Sequence, residues 1–478
     1  MSGSTEKAFA DLPDQELIWV NFNAPEDFPN RYFRNASEVF LEDANFSGLR
    51  TTCDPSNLGK VGGCPISPST QLVADLIAPS CDGPEQQFCI SSIAVTSANS
   101  VTSLSPANSL QGPTVPGNKA LGLPSGGTAG LWTGTSSIGT ELNFMVTPRI
   151  EMFYSRSSRK FVASEFSLEI LPYVKISNPE ALWLPNSNTP GVPGSHRNHL
   201  GTYFVPSGCE NAIWISDGQC GISAVHDPNN TFTLDVHLPK SLTGWFQANL
   251  SRPEITIAQR KSHQRLRVSA GPGDYSVVTE SAIPRAEIAA NQGLSYVGKG
   301  STISGYGLDQ YFEYGITWAV ALAKQLNDVP TTIRYGWRLE SMAASNRSQN
   351  VFSTDTGLLK ACSASNKGVV GIVNTNAMAA DPTPPKLKNG ELTYQLADFH
   401  YMPDGKTERL GRYFMAIRDD FARCIYNSQT IPVRAKISIV GDNKATSISR
   451  KISGWHQLAV DGFTYSKKTI KVSFSKKK

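Results

Sequence analysis

The sequence predicts a mostly β protein of two or three β-sandwich-like domains with few short helices, stapled by disulfides. Three observations carry this prediction: charged residues are only 18% of the chain, Gly and Pro number 39 and 30, and there are eight cysteines. Sparse charge with many turn-forming residues is typical of strands joined by turns and disfavours long solvated helices. With 478 residues the chain can bury more than one core.

The cysteines fall into three pairs close in sequence and one distant pair. The pairs are Cys53/Cys64, Cys81/Cys89, Cys209/Cys220 and Cys362/Cys424. An even number without a CxxC motif indicates disulfides in an oxidising compartment. Short separations favour pairing because closing a small loop costs little chain entropy, which leaves the distant pair as the fourth bridge. Reduced thiols and zinc ligation are the alternatives, but zinc needs two converging ligand pairs.

The start of the chain has neither the basic nor the apolar region of a signal peptide. Because disulfides form outside the cytosol, we interpret the chain as a mature form and expect it to be secreted or at the cell surface. No apolar run approaches the roughly 20 residues that a bilayer-spanning helix requires, so no transmembrane segment is predicted.

Alternation of apolar and polar residues predicts strands along the whole chain. An apolar strand is expected at 17–22, a hairpin with a polar turn at 149–170, and half-buried strands at 231–238 and 433–439. One helix is predicted at 310–326, where apolar side chains recur at helical spacing before a stop sequence ending in proline.

Three segments of unusual composition suggest domain boundaries. Residues 91–139 are rich in Ser, Thr and Gly, which predicts a long loop or linker, and 185–199 and 379–389 are rich in proline. We therefore predict an N-terminal β segment carrying the Ser/Thr/Gly-rich loop at 1–140, a central β domain at 141–300 and a C-terminal β domain at 301–478 that contains the helix.

Positive charge is concentrated near the C-terminus. From Lys406 onward there are 16 Lys and Arg against 5 Asp and Glu. The lysines at 467–471 alternate with apolar residues, which is typical of an edge strand protected by lysine. Attraction to an acidic wall polymer is the alternative, and no nucleic-acid partner is predicted.

No catalytic or cofactor signature is present in the sequence. There is no Walker loop, HExxH, GxSxG elbow or EF-hand loop. His196 and His199 could share a metal ion, but two ligands on a Gly/Pro-rich loop are too few. Nothing selects a carboxylate pair for glycoside hydrolysis. No catalytic residue, metal or cofactor is therefore predicted, although a hydrolase with residues dispersed along the chain stays open.

Two stretches carry a resemblance to known proteins. The first comprises GCENAIWISDGQCG at 208–221, VHLPKSLTGWF at 236–246 and RPEITI at 252–257; the second begins with IRDDFARCIY at 417–426. Together they resemble large secreted, cell-surface proteins of actinobacteria to which no function is assigned. The likeness covers about 198–478. It implies export and a cell-surface setting, and it supplies no catalytic residues.

Two tryptophans in these motifs each follow a glycine. Trp245 and Trp455 are expected to pack in the core, because glycine permits close approach of a large ring. Stacking on sugar rings is the alternative, which makes both residues candidates for glycan contact. The pair Asp419 and Asp420, flanked by arginines, is interpreted as a local ion-pair cluster rather than an acid/base dyad.

The sequence thus predicts a secreted, non-enzymatic cell-surface protein with a structural, adhesive or binding role. Its partner would be a cell-wall polymer, a glycan or another surface protein, and the oligomeric state stays open. The alternative is a carbohydrate-active extracellular protein, either a lectin-like glycan-binding module or a glycosidase.

Overall fold

The structure is a computed structural model that describes the following residues. These are 17–22, 37–43, 50–54, 64, 70–97, 100–107, 114–177, 197–198, 201–202, 212–216, 219–284, 302–305, 315–342, 362, 368–381, 383–426, 434–440 and 446–475.

Strands hold 65% and helices 6% of the structure, so the mostly β class is confirmed. The strands with described bounds, in chain order, are β1 (Leu17–Phe22), β2 (Glu38–Asp43), β3 (Arg50–Thr52), β4 (Thr70–Ile77), β5 (Cys89–Ser97), β6 (Ser100–Pro106), β7 (Gly130–Thr135), β8 (Glu141–Ser155), β9 (Lys160–Ser177), β10 (Arg197–Asn198), β11 (Gly201–Thr202), β12 (Ala212–Ser216), β13 (Gln219–Ser223), β14 (Thr231–Pro239), β15 (Gly244–Gln259), β16 (His263–Pro284), β17 (Thr302–Gly305), β18 (Thr332–Ser341), β19 (Val369–Thr375), β20 (Ala379–Ala380), β21 (Lys386–Lys388), β22 (Glu391–Ala397), β23 (Leu410–Arg418), β24 (Arg434–Ile439), β25 (Thr446–Ile452), β26 (Trp455–Thr464) and β27 (Lys468–Ser475). The helices with described bounds are α1 (Gly315–Gln325) and α2 (Asp419–Ile425).

Nine strands form a closed ring. Each pairs antiparallel with the next in the order β5–β6–β7–β8–β9–β18–β15–β16–β14, and β14 pairs back with β5. The expected two or three sandwich-like domains are therefore replaced by one closed sheet with further strands attached. Its members come from all three ranges in which separate domains were predicted.

Two long strands explain why the ring closes. β15 pairs with β18 through Phe246–Asn249 and with β16 from Leu250 onward, so it runs from one part of the sheet into another. β16 likewise pairs first with β14 and then with β18. Strands that change partner in this way form the corners of a folded sheet. Apolar alternation detects the strand but not the change of partner, which is why separate domains were expected.

The ring is extended on one side and covered by a second sheet. β19 pairs in parallel with β15, and β23, β26 and β25 follow it in antiparallel order. The second sheet has the order β20–β22–β27–β24, with β21 paired to β22. One apolar core contains buried side chains from both the extension and the second sheet, among them Tyr394, Tyr413, Leu458 and Ile470. The packing of these side chains holds the two sheets together.

The basic C-terminal strand is not at an edge, contrary to expectation. β27 pairs with β22 on one side and with β24 on the other. Lys471 lies 3.5 Å from Glu391 on the neighbouring strand, and Lys468 is buried. A long lysine side chain can reach water or a carboxylate from a paired strand, so alternation with lysine does not by itself identify an edge.

The segment 91–139 is not the loop that its composition predicted. It contains most of β5 and all of β6 and β7, which are part of the ring. β6 shows why the prediction was wrong: its Ser and Thr side chains are exposed or half-buried, and Leu104 is its one buried side chain. Thr is a strand-forming residue, and a half-exposed strand tolerates a polar composition.

The predicted hairpin and helix are present. β8 and β9 pair around a polar turn in which Arg159 has φ 53°, and β14 buries alternate apolar side chains. The helix occupies Gly315–Gln325, inside the predicted range, and Ala319 and Leu322 are fully buried. Asn327 and Asp328 follow with φ 53° and 60°, a conformation that ends a helix.

The disulfides match the predicted pairs wherever both cysteines are described. Cys53–Cys64, Cys81–Cys89 and Cys362–Cys424 are bonded, with Cα–Cα distances of 5.1, 4.9 and 5.6 Å. Cys220 is also disulfide-bonded, while its predicted partner Cys209 lies outside the described residues. The third bridge connects α2 to a residue 62 positions earlier in the chain.

A histidine buried beside the ring makes stability depend on pH. His226 is 4% exposed, and its Nε2 donates to the carbonyl oxygen of Ile170 at 2.9 Å, since that oxygen can only accept. Burial lowers the pKa of His226 to about 4. Its ordinary value is about 6.5, so protonation favours the unfolded chain. Stability from this group is complete above about pH 6.5 and decreases as the pH falls towards 4.

We expect the parent protein to lose about 2 kcal/mol of unfolding free energy through His226 between pH 7 and pH 4.5. A His226→Gln variant, whose side chain does not titrate, should lack this contribution. Burial also lowers the pKa of His263 and His456, so a smaller slope will remain in the variant. Urea unfolding of both proteins at the two pH values measures the difference. Equal losses in parent and variant would contradict the assignment.

Candidate binding groove

A groove opens where β15 turns away from the extension sheet. At this point Leu250 exchanges two hydrogen bonds with the side chain of Asn374: its N–H donates to Oδ1 at 2.8 Å, and its carbonyl oxygen accepts from Nδ2 at 3.0 Å. The amide thus replaces the backbone partner that β15 loses as it leaves β19. Beyond it, Arg252 has φ 47°, and the register with β16 shifts between Ser251 and Glu254.

A second irregularity forms the end of the groove. Between Gly411 and Arg412 the register of β23 against β26 shifts, so that Arg412 pairs with Asp461. Gly462, which has φ 82°, therefore has no partner residue on β23. Bulges of this kind redirect side chains and are frequent beside functional sites. Here the two bulges bring Arg252 and Arg412 to the same groove.

The groove has a volume of about 660 Å³, within the usual range of ligand sites. Its apolar lining comprises Leu250, Pro253, Leu410, Tyr413, Phe414, Ile448, Leu458 and Ala459, and its charged lining comprises Arg252, Glu254, Arg412, Arg450 and Asp461. Leu410 and Ile448 are 52% and 57% exposed, so the groove presents apolar surface to solvent. The groove therefore combines accessible apolar surface with charge.

Among the described residues, Arg412 is the one groove arginine in a close ion pair, and Asp461 in the same lining interacts electrostatically with both Arg412 and Arg252. Arg412 pairs with Asp274, and burial lowers its pKa while Arg252 lowers it further. Arg450 donates from Nε to Oε1 of Gln457 at 2.9 Å, and neither Arg450 nor Arg252 forms an ion pair with any described residue. The unpaired guanidinium groups leave the groove able to accept a carboxylate or another anion.

A buried polar network supports the closed end of the groove. Arg409, 1% exposed, donates from Nε to Asp398 at 2.8 Å, from Nη1 to Asp274 at 2.9 Å and from Nη2 to the carbonyl oxygen of Asn376 at 2.8 Å. The backbone N–H of Arg412 donates to Oδ1 of Asn376 at 2.8 Å. The network connects β16, the end of β19 and β23. It fixes the backbone position of Arg412.

The acidic pair at the start of α2 forms a local ion-pair cluster, as predicted. Arg418 pairs with Asp420 at 2.6 Å, and Asp419 pairs with Arg423. Nε2 of His456 and Nζ of Lys451 lie 2.7 and 2.9 Å from Asp419 Oδ1. Burial alone would raise the pKa of Asp419, but hydrogen bonds from Lys451, His456 and Arg423 outweigh it and hold that pKa below its usual value. A carboxylate so firmly ionised is a poor general acid.

A histidine also lies against the Cys81–Cys89 disulfide. Nδ1 of His237 is 3.5 Å from Sγ of Cys89 and 2.9 Å from the carbonyl oxygen of Gln86, and its ring stacks on that of His263 at 3.7 Å. Metal ligation by cysteine requires the free thiolate. Because both sulfurs are bonded to each other, this cluster is not a metal site in the disulfide form. His196 and His199 lie outside the described residues.

The two candidate glycan-contact tryptophans are both buried. Trp245 is 1% exposed and lies between Gly371, where an added Cβ would come within 2.2 Å of its ring, and the edge of Phe421. Trp455 is 2% exposed, and its Nε1 donates to the carbonyl oxygen of Ile257 at 3.3 Å. Stacking on a sugar needs an accessible ring face, so neither residue provides that contact in this structure. Both belong to the core.

The groove residues were missed because they come from separate strands. Arg252 lies in one of the motifs singled out in the sequence, but Arg412 and Arg450 are 160 and 198 positions further on. The available local signals are Pro253, which follows a strand-like stretch, and Gly411 and Gly462, which mark the bulge. None of them indicates that these strands meet.

Comparison with known proteins adds no relative. A scan against protein-family models and a search of curated proteins each return no match. None of the helices in the described parts of the chain combines the length and apolarity needed to cross a membrane.

Proposed function

We propose that this chain is a secreted, non-enzymatic surface protein whose β scaffold holds an extended anionic ligand in the groove. The observation that carries the proposal is the pair Arg252 and Arg450, which form no ion pair with a described residue and line a groove that also has accessible apolar side chains. Guanidinium groups bind carboxylates with good geometry, and apolar surface beside them adds affinity without requiring chemistry.

Several groups that could serve catalysis have structural roles. Asp419 and His456 are held in an ion-pair cluster, Arg409 and Asp398 are buried together, and His226 donates to a backbone carbonyl. Each of these groups is thus engaged in holding strands together. This supports a binding role rather than a hydrolase with dispersed residues.

Export is supported by the disulfides, since such bonds persist in oxidising compartments. The resemblance to secreted actinobacterial proteins favours the same setting. The carbohydrate-active alternative rested on accessible tryptophan rings, but Trp245 and Trp455 are buried. The aromatic side chains that line the groove, Tyr413 and Phe414, are buried as well. We therefore favour an anionic polymer or peptide over a neutral sugar.

Titration with poly-L-glutamate tests the proposal. We expect saturable binding to the parent protein and about tenfold weaker binding to an Arg252→Ala, Arg450→Ala double variant, equivalent to about 1.4 kcal/mol. The matched control is Arg156→Ala with Lys160→Ala, which removes the same charge from the exposed β8–β9 turn. If the two double variants bind equally well, or if the parent does not bind, the groove is not the site.

A further inference from the structure

One edge of β25 has no paired strand among the described residues, although β24 lies close to the hairpin. β25 pairs with β26 and with no other strand in the part of the chain that the structure describes. The hairpin closes at Ile452 and Trp455 around a two-residue turn, Ser453 and Gly454, with φ 49° and 81°. Such a turn fixes the hydrogen-bond register of both strands.

The register determines which backbone groups point away from β26. In an antiparallel pair, alternate residues direct both their N–H and C=O groups at the partner strand, beginning with the pair that closes a two-residue turn. Ile448 and Arg450 therefore bond to β26, while Ser447, Ser449 and Lys451 point outward. The outward backbone groups make no hydrogen bond to any other described residue. They form a row of unpaired donors and acceptors.

This free edge borders the groove. The side chains of Ile448 and Arg450 line it, and both residues are exposed. A strand added beyond β25 would lie about 4.8 Å from it and would continue the sheet β19–β23–β26–β25. Every second side chain of the added strand would then lie on the groove side, beside Ile448 and Arg450.

The charge around β25 favours an added strand with acidic side chains. Arg450 places positive charge on the groove face of β25, which opposes pairing with a second copy of the same strand, while Lys451 on the other face is paired with Asp419. Arg252, which also lines the groove, adds a further cation. A segment with acidic side chains on its groove-facing positions would meet Arg450 and Arg252, neither of which forms an ion pair with a described residue. Apolar residues at the alternate positions would favour the extended conformation.

We infer that β25 takes up an extended acidic segment of a partner protein as an additional strand, with alternate carboxylates directed into the groove. This inference rests on the proposed function and specifies its ligand as a polypeptide recognised through its backbone. Main-chain bonds to Ser447, Ser449 and Lys451 hold the segment, and the arginines select its acidic side chains.

The test uses a soluble probe, an acetylated and amidated heptapeptide of alternating Glu and Val, labelled for fluorescence anisotropy. We expect saturable binding to the parent. The same peptide with N-methyl groups on alternate residues keeps every side chain, but its methylated nitrogens cannot donate the backbone hydrogen bonds that would pair it with β25. It should bind at least tenfold more weakly. A lysine–valine peptide should not bind.

On the protein side, Ser449→Pro removes one outward N–H without touching the bonds to β26, and Ser449→Ala is the matched control that retains it. The proline variant should bind the peptide at least tenfold more weakly than the alanine variant. Thermal melting shows whether both remain folded. If the proline variant does not fold, the N-methylated peptide decides the question with the parent protein alone.

Equal binding of plain and N-methylated peptides, or of the two folded Ser449 variants, overturns strand addition. If poly-L-glutamate binding still depends on Arg252 and Arg450 in that case, the groove proposal stands and only the proposal of strand addition is rejected. Absence of peptide binding overturns strand addition as well. Loss of the arginine dependence overturns the groove proposal, whatever the peptide does.

Discussion

Replacing Arg409 by alanine is expected to lower the unfolding free energy by about 3–5 kcal/mol. The guanidinium is 1% exposed, and Asp398, to which it donates, is also buried. Removing the cation leaves a buried carboxylate without its counter-charge. It also removes the bonds from Arg409 to Asp274 and to the backbone of Asn376. Chemical denaturation of the parent and the variant measures the loss.

Two further variants make this prediction specific. Arg423→Ala removes an arginine from a partly exposed pair with Asp419 and should cost less than about 1 kcal/mol. Adding Asp398→Asn to Arg409→Ala should restore part of the loss, because the uncompensated charge is gone while the amide oxygen can still accept a bond. A loss below about 1 kcal/mol for Arg409→Ala would show that the pair is not buried in solution.

Removing the Cys362–Cys424 bridge is expected to cost about 4 kcal/mol. In the chain-entropy treatment, a bridge restricts the unfolded chain more strongly as the loop it closes grows longer, and this loop spans 62 positions. The double variant Cys362→Ser, Cys424→Ser avoids leaving a single reactive thiol. It should melt at a clearly lower temperature than the parent, and peptide binding should be unchanged because neither cysteine lines the groove.

The short Cys53–Cys64 bridge provides the comparison. Its loop spans 11 positions, for which the same treatment gives about 3 kcal/mol. The double serine variant of this pair should therefore melt between the parent and the Cys362/Cys424 variant. If the long bridge proves to matter less than the short one, loop entropy is not the main source of its stabilisation.

Local features of this protein could be predicted from sequence because local physics determines them. Phe232, Leu234, Val236 and Leu238 are buried because a strand places every second side chain on one face. The described disulfides followed from the low entropic cost of small loops and from the two cysteines that remained. The burial pattern is determined within a single strand, and the disulfide pairs follow from the number and spacing of the cysteines.

Non-local features could not be predicted in this way. Whether β25 or β27 lies at an edge depends on which strands arrive beside it, and both carry basic residues. The groove depends on the point at which β15 leaves β19, a choice fixed by the side chain of Asn374. Trp245 is buried because of Gly371 on the neighbouring strand rather than because of Gly244, which precedes it. Such contacts have no signature in either segment alone.

Closure of the ring constrains the order in which the chain can fold. β5 is synthesised early, yet it pairs with β14, whose first residue follows its own by 142 positions. Pairing between β9 and β18 likewise awaits residues 332–341. Proteins dominated by such distant pairings fold on the order of milliseconds to seconds or slower. β5 can pair early with β6, and β9 with β8, but the other edge of each strand stays unpaired until its distant partner has been synthesised.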